Sequence, residues 1–358
     1  MTYLIAAAGT GGHVFPGLAV GEALVDRGVA RSDILYVGGS RLESAVYPSE
    51  GYPFLSVEIR GLKRSVSLSN LSLPLVVIRA RAEIARAMDE RGVQVCLGMG
   101  GYVTIPMSLA AKKTGATLMI AEQNAHAGLA NRLVAGRATR RFGSFPRTSG
   151  IEAEWVGNPV RKPFWDFDRK NLEGAGRSRY GLKEGVPTLG LFGGSLGARA
   201  INHAASQMLA SWNGPPMQVV HLTGDAHFKE ISSMDPAPGV LWARKAFEDS
   251  MEHFYAVSDL VVARAGGGVA ELAATSTPVI VVPGSFGSAG HQSDNAAQFE
   301  EAGMAVVVPE HELDRLGEVV GMTLFDRPTL ERMSAAAAAF ARPGAAHDIA
   351  DAMIGAAS

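Results

Sequence analysis

Tyr3-Leu4-Ile5-Ala6-Ala7-Ala8-Gly9-Thr10-Gly11-Gly12-His13-Val14-Phe15-Pro16-Gly17 is the stretch on which the fold turns. Tyr3–Ala8 is a short apolar run, the pattern of a strand buried on both faces. Gly9–Gly12 interrupts it, and Pro16–Arg27 carries a helical pattern. Strand, glycine turn and helix in that order open an α/β unit with a parallel sheet. The same unit restarts at Thr188–Phe192, with Gly193–Gly197 as its turn and Ala198–Leu209 as its helix. Asp33–Val37, Gln94–Leu97, Thr117–Ala121 and Glu154–Val156 continue the first series. Gln218–Thr223, Leu260–Ala263, Val279–Val282 and Ala305–Val308 continue the second.

The fold class is therefore α/β, with two doubly wound, Rossmann-like parallel-sheet domains facing across a cleft. Residues 1–158 form the first domain and 159–335 the second, joined at Gly157-Asn158-Pro159-Val160-Arg161, where Gly and Pro punctuate the chain. Residues 336–358 are expected to form C-terminal helices that pack back on the first domain. Asp166–Tyr180, charged and poor in aliphatics, reads as a surface connection.

A chain of 358 residues suffices for two domains. Its 33 Lys+Arg against 35 Asp+Glu give a net charge of −2, which excludes a strongly basic nucleic-acid binder. One cysteine, Cys96, excludes a disulfide framework and a cysteine-built zinc site. The charge is unevenly spread: residues 1–158 carry +5 and residues 159–358 carry −7, which suits an anionic partner for the first half. The uncharged stretches Met1–Gly21, Gly92–Ala111 and Leu272–Gly290 are each broken by Gly, Pro, Ser or Thr, unlike a membrane span. Met1–Gly21 also lacks the basic start of a signal peptide, so a cytoplasmic location is expected.

Glycines in the Gly9–Gly17 turn let backbone approach a ligand, and the helix that follows offers free N–H groups to phosphate. The turn lacks the Lys-Ser/Thr of a P-loop. The second strand runs into Gly38-Gly39-Ser40 without the acidic residue of a dinucleotide reader, which argues against NAD. Gly98-Met99-Gly100-Gly101-Tyr102, Gly193-Gly194-Ser195-Leu196-Gly197 and Gly266-Gly267-Gly268 repeat the theme after other strands. A ligand held between the sheets by such loops is naturally a diphosphate, whose charge backbone amides and helix dipoles can carry.

Among the polar residues nearby, His13 fits either a general base or a histidine that bonds only backbone. Glu271 fits a carboxylate for ribose hydroxyls or a favourable charge at a helix start. Arg161 and Arg264 fit phosphate or a neighbouring carboxylate. Asp166-Phe167-Asp168 sits in the charged connector, not at a strand end, and reads as surface. The nine histidines lack ligand spacing, so no metal and no cofactor is expected. Arg60-Gly61-Leu62-Lys63-Arg64-Ser65-Val66-Ser67-Leu68 leads into Leu71–Ile78 and then Arg79, Arg81 and Arg86. That pattern fits an anionic membrane surface, or a core helix with a solvated basic face.

The loop Gly9–Gly17, the run Gly98–Val103, Glu122-Gln123-Asn124, Gly157–Arg161, Gly193–Arg199 and His291-Gln292 with Asn295 occur in order. Together they closely resemble the MurG-type GlcNAc transferases of bacterial peptidoglycan synthesis, from residue 3 to about residue 310. The resemblance implies a GT-B transferase that moves GlcNAc from UDP-GlcNAc to lipid I, giving lipid II and UDP, without an essential metal. It implies inversion at the sugar, with His13 as base. It further implies that Thr10, Gly11 and Gly12 form a donor and phosphate loop and that Asn124, Arg161, Ser195 and Gln292 contact the donor. Glu248 would lie where uracil is held through backbone, and Gly267, Gly268, Val269 and Glu271 at ribose and phosphate. Tyr102, Glu122 and Asn131 would lie on the acceptor side.

The partners implied are UDP-GlcNAc, lipid I, the anionic cytoplasmic membrane surface and other cell-wall and division proteins, with a peripheral location on the bacterial plasma membrane. The pattern departs from the family at Gly266-Gly267-Gly268-Val269, one residue short and without its usual hydroxyl. A UDP-sugar enzyme with another acceptor, an epimerase, or a non-catalytic UDP-sugar-binding scaffold would use the same donor site.

Overall fold

The computed structural model describes residues 1–59, 73–194, 197–284 and 289–357. Ser195 and the basic loop Arg60–Leu68, both singled out above, lie outside the described residues. The chain forms two compact units, Met1–Lys162 with Pro343–Ser358, and Pro163–Arg342. The crossings fall a few residues beyond 158 and 335, so the helix ending at Phe340 belongs to the second unit.

In the first unit the strands are β1 (Thr2–Ala6), β2 (Ile34–Gly38), β3 (Phe54–Ser56), β4 (Val93–Gly98), β5 (Thr117–Glu122), β6 (Arg140–Gly143) and β7 (Glu154–Trp155). Among the described residues they make a seven-stranded parallel sheet in the order β3-β2-β1-β4-β5-β6-β7. Its helices are α1 (Gly11–Asp26), α2 (Leu42–Ser49), α3 (Leu73–Arg91), α4 (Thr104–Thr114) and α5 (Leu129–Val134). Leu4, Ala6, Val37, Cys96 and Ile120 of the strands pack against Ile84 and Met88 of α3 and Met107 and Ala110 of α4. Each large apolar side chain so buried stabilises the unit by about 1.5–3 kcal/mol.

The second unit begins with α6 (Arg169–Tyr180) and continues β8 (Thr188–Phe192), α7 (Arg199–Ala210), β9 (Met217–Leu222), α8 (Asp225–Ser232), β10 (Val240–Lys245), α9 (Met251–Val257), β11 (Leu260–Ala263), α10 (Gly268–Ala274), β12 (Val279–Val281), α11 (Ala289–Glu301), β13 (Ala305–Val307), α12 (Leu316–Leu324) and α13 (Arg327–Phe340). Its described strands form a six-stranded parallel sheet, β10-β9-β8-β11-β12-β13. The chain then returns to the first unit as α14 (Ala345–Ala357), which packs on α1 and β4. Arg27 donates twice to Asp351 at 2.7 and 3.0 Å, and His347 lies 3.1 Å from Asp26, fixing α14 to the end of α1.

The strands at Thr188–Phe192 and Leu260–Ala263 coincide with the sequence reading. β3, β6 and β10 escaped it: β3 has three residues, β6 begins with Arg140-Arg141, and β10 ends in Arg244-Lys245. The stretch read as a surface connection is corrected. It is largely the helix α6, capped by Asp168, whose carboxylate accepts Lys170 and Asn171 N–H at 2.9 and 3.3 Å. That capping gives Asp168, the second acid of the Asp-x-Asp pair, a structural role. α6 packs on α9 across Gly176, where a Cβ would stand 2.6 Å from Val257. Its Arg169 is half-buried and donates to the carbonyls of Tyr255, Ala256, Ser258 and Thr275 and to Thr277 Oγ1, capping the carboxyl ends of α9 and α10. Burial pulls its pKa down, opposed by the charges of Asp259 and Glu173.

α1 lies close on β2 because Gly21 has no side chain. A Cβ there would stand 1.9 Å from Tyr36 Oη, whose hydroxyl donates to Gly17 O at 3.0 Å. Gly21→Ala is expected to destabilise the protein by about 1–3 kcal/mol, an overpacking cost larger than the helix-propensity gain. Adding Tyr36→Phe removes the clashing oxygen and should restore part of the loss. Denaturant melts of the two variants check both; equal loss with and without Tyr36→Phe would contradict this packing account.

Candidate functional site

Strand order reverses between β1 and β4, and again between β8 and β11. Open α/β sheets bind ligands beyond the carboxyl ends of strands at such points. In the first unit two loops meet this condition, Ala7–Thr10 before α1 and Met99–Val103 before α4, and Gln123–Gly128 before α5 follows the next strand, β5. Gly101, at φ +73°, brings the second loop against the first: a Cβ there would stand 2.9 Å from Ala8 O. Thr10 is the N-cap of α1 but makes no side-chain cap bond, and the first turn has no acidic residue. The positive helix end is thus left available to an anion.

His13 sits half-buried in that turn. Its Nδ1 is 3.5 Å from Thr10 Oγ1, and its Cδ2–Nε2 edge faces Gly100, where a Cβ would lie 3.0–3.1 Å from both atoms. Burial lowers its pKa, against the raising influence of Glu122 and Glu43. The ring is therefore neutral at neutral pH, the state a general base requires. Arg161 belongs to this unit and stacks on Phe15, 5.2 Å from the ring centroid. Tyr102 is exposed beside the glycines of the β4–α4 loop.

Glu122 is buried, with its carboxylate fully engaged. Oε1 accepts from Asn124 N and Nδ2, both at 3.0 Å, and Oε2 from Gly128 N and Asn131 Nδ2 at 3.0 and 2.9 Å. Asn131 is buried too, also donating to Ala121 O. Glu122 and Asn131 thus shape the loop that presents Asn124. Gln123, between them in sequence, donates to Ala121 O at 3.2 Å, while its Oε1 lies buried close to Gly100.

In the second unit Gly193 and Gly197 bracket the loop after β8; a Cβ at Gly197 would stand 2.4 Å from Thr223 O. After β11, Gly266, Gly267 and Gly268 lead into α10, which carries Glu271 in its first turn. Tyr255 Oη donates to Glu271 Oε2 at 2.8 Å, fixing one carboxylate oxygen. Val269 is wholly buried, so backbone alone is what it offers a ligand. Arg264 pairs with Glu310 at 2.6 Å, and Gln292 Oε1 accepts Gly284 N–H at 2.7 Å. Asn295, buried, donates to Ala265 O at 3.0 Å and steadies the glycine turn.

Glu248 is buried among donors: Arg179 at 2.5 and 3.0 Å, Tyr180 at 2.7 Å, Lys245 at 2.8 Å and Ser250 N at 3.0 Å. Burial pushes its pKa up, but the bonds from Arg179, Lys245 and Tyr180 outweigh it and hold the carboxyl at about 2. Its side chain is occupied holding α6 to the β10–α9 turn. Among the described residues no three His, Cys, Asp or Glu side chains gather as a metal site.

Sequence reasoning missed two residues here. Glu43 bonds the β1 and β2 turns, and its signal was Gly38-Gly39-Ser40 followed by an acid in the first turn of a helix. Tyr255 carried no local signal for its bond to Glu271.

Two family models match the chain, the glycosyltransferase family 28 N-terminal domain over residues 3–142 and the family 28 C-terminal domain over residues 188–349. The chain belongs to glycosyltransferase family 28. A relative from Halorhodospira halophila named as UDP-N-acetylglucosamine–N-acetylmuramyl-(pentapeptide) pyrophosphoryl-undecaprenol N-acetylglucosamine transferase is 38% identical, covering 98% of this chain and 96% of its own. A relative of the same name from Listeria welshimeri is 34% identical, covering 99% of each. The crystal structure of Acinetobacter baumannii MurG shares the fold, GT-B, with a TM-score of 0.79 at 24% identity over 99% of this chain and 100% of that one. This family 28 enzyme is thus a glycosyltransferase with both family domains.

The Glu248 cluster gives a pH-dependent prediction. A carboxyl near 2 when folded and about 4.3 when unfolded stabilises the fold above about pH 4.3 and loses that contribution as pH falls towards 2. Glu248→Gln should lower Tm by about 2–6 °C at pH 7. The deficit should shrink below about pH 4. Melting curves against pH check this; a deficit independent of pH would contradict it.

Proposed function

We propose that this glycosyltransferase moves GlcNAc from UDP-GlcNAc to the MurNAc 4-hydroxyl of lipid I, giving lipid II and UDP, with inversion at the anomeric carbon. The observation that carries the reading is full-length kinship, at 38% identity, with a transferase named for that reaction. His13 takes the proton of the acceptor hydroxyl on Nε2. The hydroxyl oxygen bonds to the anomeric carbon as the bond to the diphosphate oxygen breaks, its electron pair leaving with UDP. Thr10, Gly11, Gly12 and the start of α1 carry diphosphate charge, with Arg161 adding a cation. Gly267, Gly268, Val269 backbone and Glu271 hold phosphate and ribose; the Tyr255 bond to Oε2 orients the Glu271 carboxylate. The Glu248 turn meets uracil through backbone, and Asn124, Ser195 and Gln292 meet the sugar. Tyr102 borders the acceptor, while Glu122 and Asn131 shape its loop.

The protein is further proposed to work as a peripheral protein on the cytoplasmic face of the plasma membrane. Among the described residues no helix is long and apolar enough to cross a membrane. Leu75 and Ile78 of α3 are 60% and 56% exposed, beside exposed Arg79 and Arg86. Leu129 and Leu133 of α5 are exposed beside Arg132 and Arg137. Apolar side chains among arginines suit an anionic lipid surface.

Transfer to a short-chain lipid I analogue with EDTA present tests the reaction. A β-1,4 product supports it; UDP-GlcNAc binding without product would favour a scaffold or another acceptor. His13→Ala should keep UDP-GlcNAc binding and lose about 100-fold or more in kcat. Leu75→Glu with Ile78→Glu should weaken binding to anionic vesicles and slow turnover of vesicle-borne lipid I, leaving the short-chain analogue unaffected. Unchanged vesicle binding would count against α3 as a docking face.

A further inference from the structure

The turn carrying His13 is tied down by a carboxylate from another element. Glu43 lies in the first turn of α2 and is wholly buried. Its Oε2 accepts Gly9 N–H at 3.2 Å and its Oε1 accepts Gly39 N–H at 2.9 Å. Gly9 follows β1 and Gly39 follows β2, so one carboxylate joins the turns after two neighbouring strands. The backbone is cut to fit it: a Cβ at Gly38 would stand 2.6 Å from Glu43 Cγ, and one at Gly39 3.0 Å from Oε1. The preceding Leu42 reaches within 3.8 Å of a Cβ placed on Gly11. The start of α2 therefore lies over the start of α1.

A buried carboxylate is expensive unless its charge is used or balanced. Two amides could be bridged by a neutral side chain, and among the described residues no lysine or arginine forms a salt bridge with Glu43. The amino end of α2 offsets part of its charge, and that charge, after the charge of Glu122, acts to raise the pKa of His13 against the effect of burial. The ionisable groups around the His13 turn are Glu43 on α2, Glu122 at the end of β5 and Arg161, which stacks on Phe15. Tyr47 of α2 also faces Glu43 and donates to Val14 O at 3.1 Å.

We propose that Glu43 is a positioning residue for transfer: its carboxylate fixes the Gly9–His13 turn and, together with Glu122, supplies negative charge against which His13 becomes cationic when it accepts the proton. The proposal rests on His13 as base. Removing the charge makes His13 less basic, so the acid limb of the rate profile moves to lower pH while the plateau falls. A tether without an electrostatic role would lower the rate and leave the limb in place.

The test is kcat/KM against pH for the full chain, with UDP-GlcNAc and a short-chain lipid I analogue. Wild type, Glu43→Gln, Glu43→Asp and His13→Ala are compared, with thermal melting as the check on folding. Glu43→Gln should lose about tenfold at the plateau, part of the contribution of a general base. Its acid limb should move down by about one pH unit. Glu43→Asp keeps the charge with a shorter reach, so its limb should stay and its rate fall. A folded Glu43→Gln with the wild-type limb overturns the proposal, whether or not its rate falls. If Glu43→Gln does not fold, Glu43→Ser, which also removes the charge, takes its place: a limb moved to lower pH supports the proposal, and an unmoved limb in a folded variant, or a wild-type rate in Glu43→Asp, overturns it. If His13→Ala keeps the limb, the base assignment falls and this proposal with it. If His13→Ala abolishes the limb and Glu43→Gln leaves it unmoved, the proposal alone falls.

Discussion

Adjacent parallel strands whose chains leave towards opposite faces of a sheet cannot have their carboxyl ends covered by one crossover. Right-handed crossovers impose this wherever strand order reverses. In this chain it happens at β1/β4 and again at β8/β11. Everything chemical in the two units follows from those reversals. The loops there must turn sharply and pass close to one another, so glycine stands at Gly101 against Ala8 O; a similar approach, Gly197 against Thr223 O, joins the loops after the neighbouring strands β8 and β9. Helices that begin there point their amino ends at the vacant ground. The rest of the sequence holds these loops still.

That holding is done largely by carboxylates. Glu43 ties the β1 and β2 turns, Glu122 gathers the loop before α5, and Glu248 binds α6 to the turn before α9. Each is buried and satisfied by several donors, which makes its loop specific in shape. The side chains proposed to meet ligands are neighbours of these acids: His13 near Glu43 and Asn124 beside Glu122. Glu271 differs, because it is itself held, by Tyr255, through one of its two oxygens.

The parallel strands were legible because fully buried strands are continuous apolar runs between glycines, and the loops because glycine clusters mark close approach. β6 and β10 were not, since their arginines and lysine hide them among surface segments. α6 was read as a connection for the same reason: two glycines and alternating charge mask a helix whose importance lies in Arg169, a residue that looks solvated in the sequence. Glu248 and Glu122 stood out in the sequence only through the family resemblance, and the bonds their side chains make were not legible there. Their partners lie far along the chain, as Arg179 does from Glu248, and local spacing cannot reveal a bond closed only by the fold. Glu43 was invisible for that reason, although it sits beside glycines already noted.

Arg169 has a mechanical consequence. A guanidinium spreads its donors in a rigid plane, so one side chain can hold the ends of α9 and α10 at a fixed spacing. With α6 as the third member, the three helices form a truss. The glycine turn and Glu271 stand at the opposite end of α10 from that joint. A tug on the turn is therefore carried along a short, braced strut into the base of the second unit. The free energy of ligand capture need not be spent on seating α10, because it is already seated.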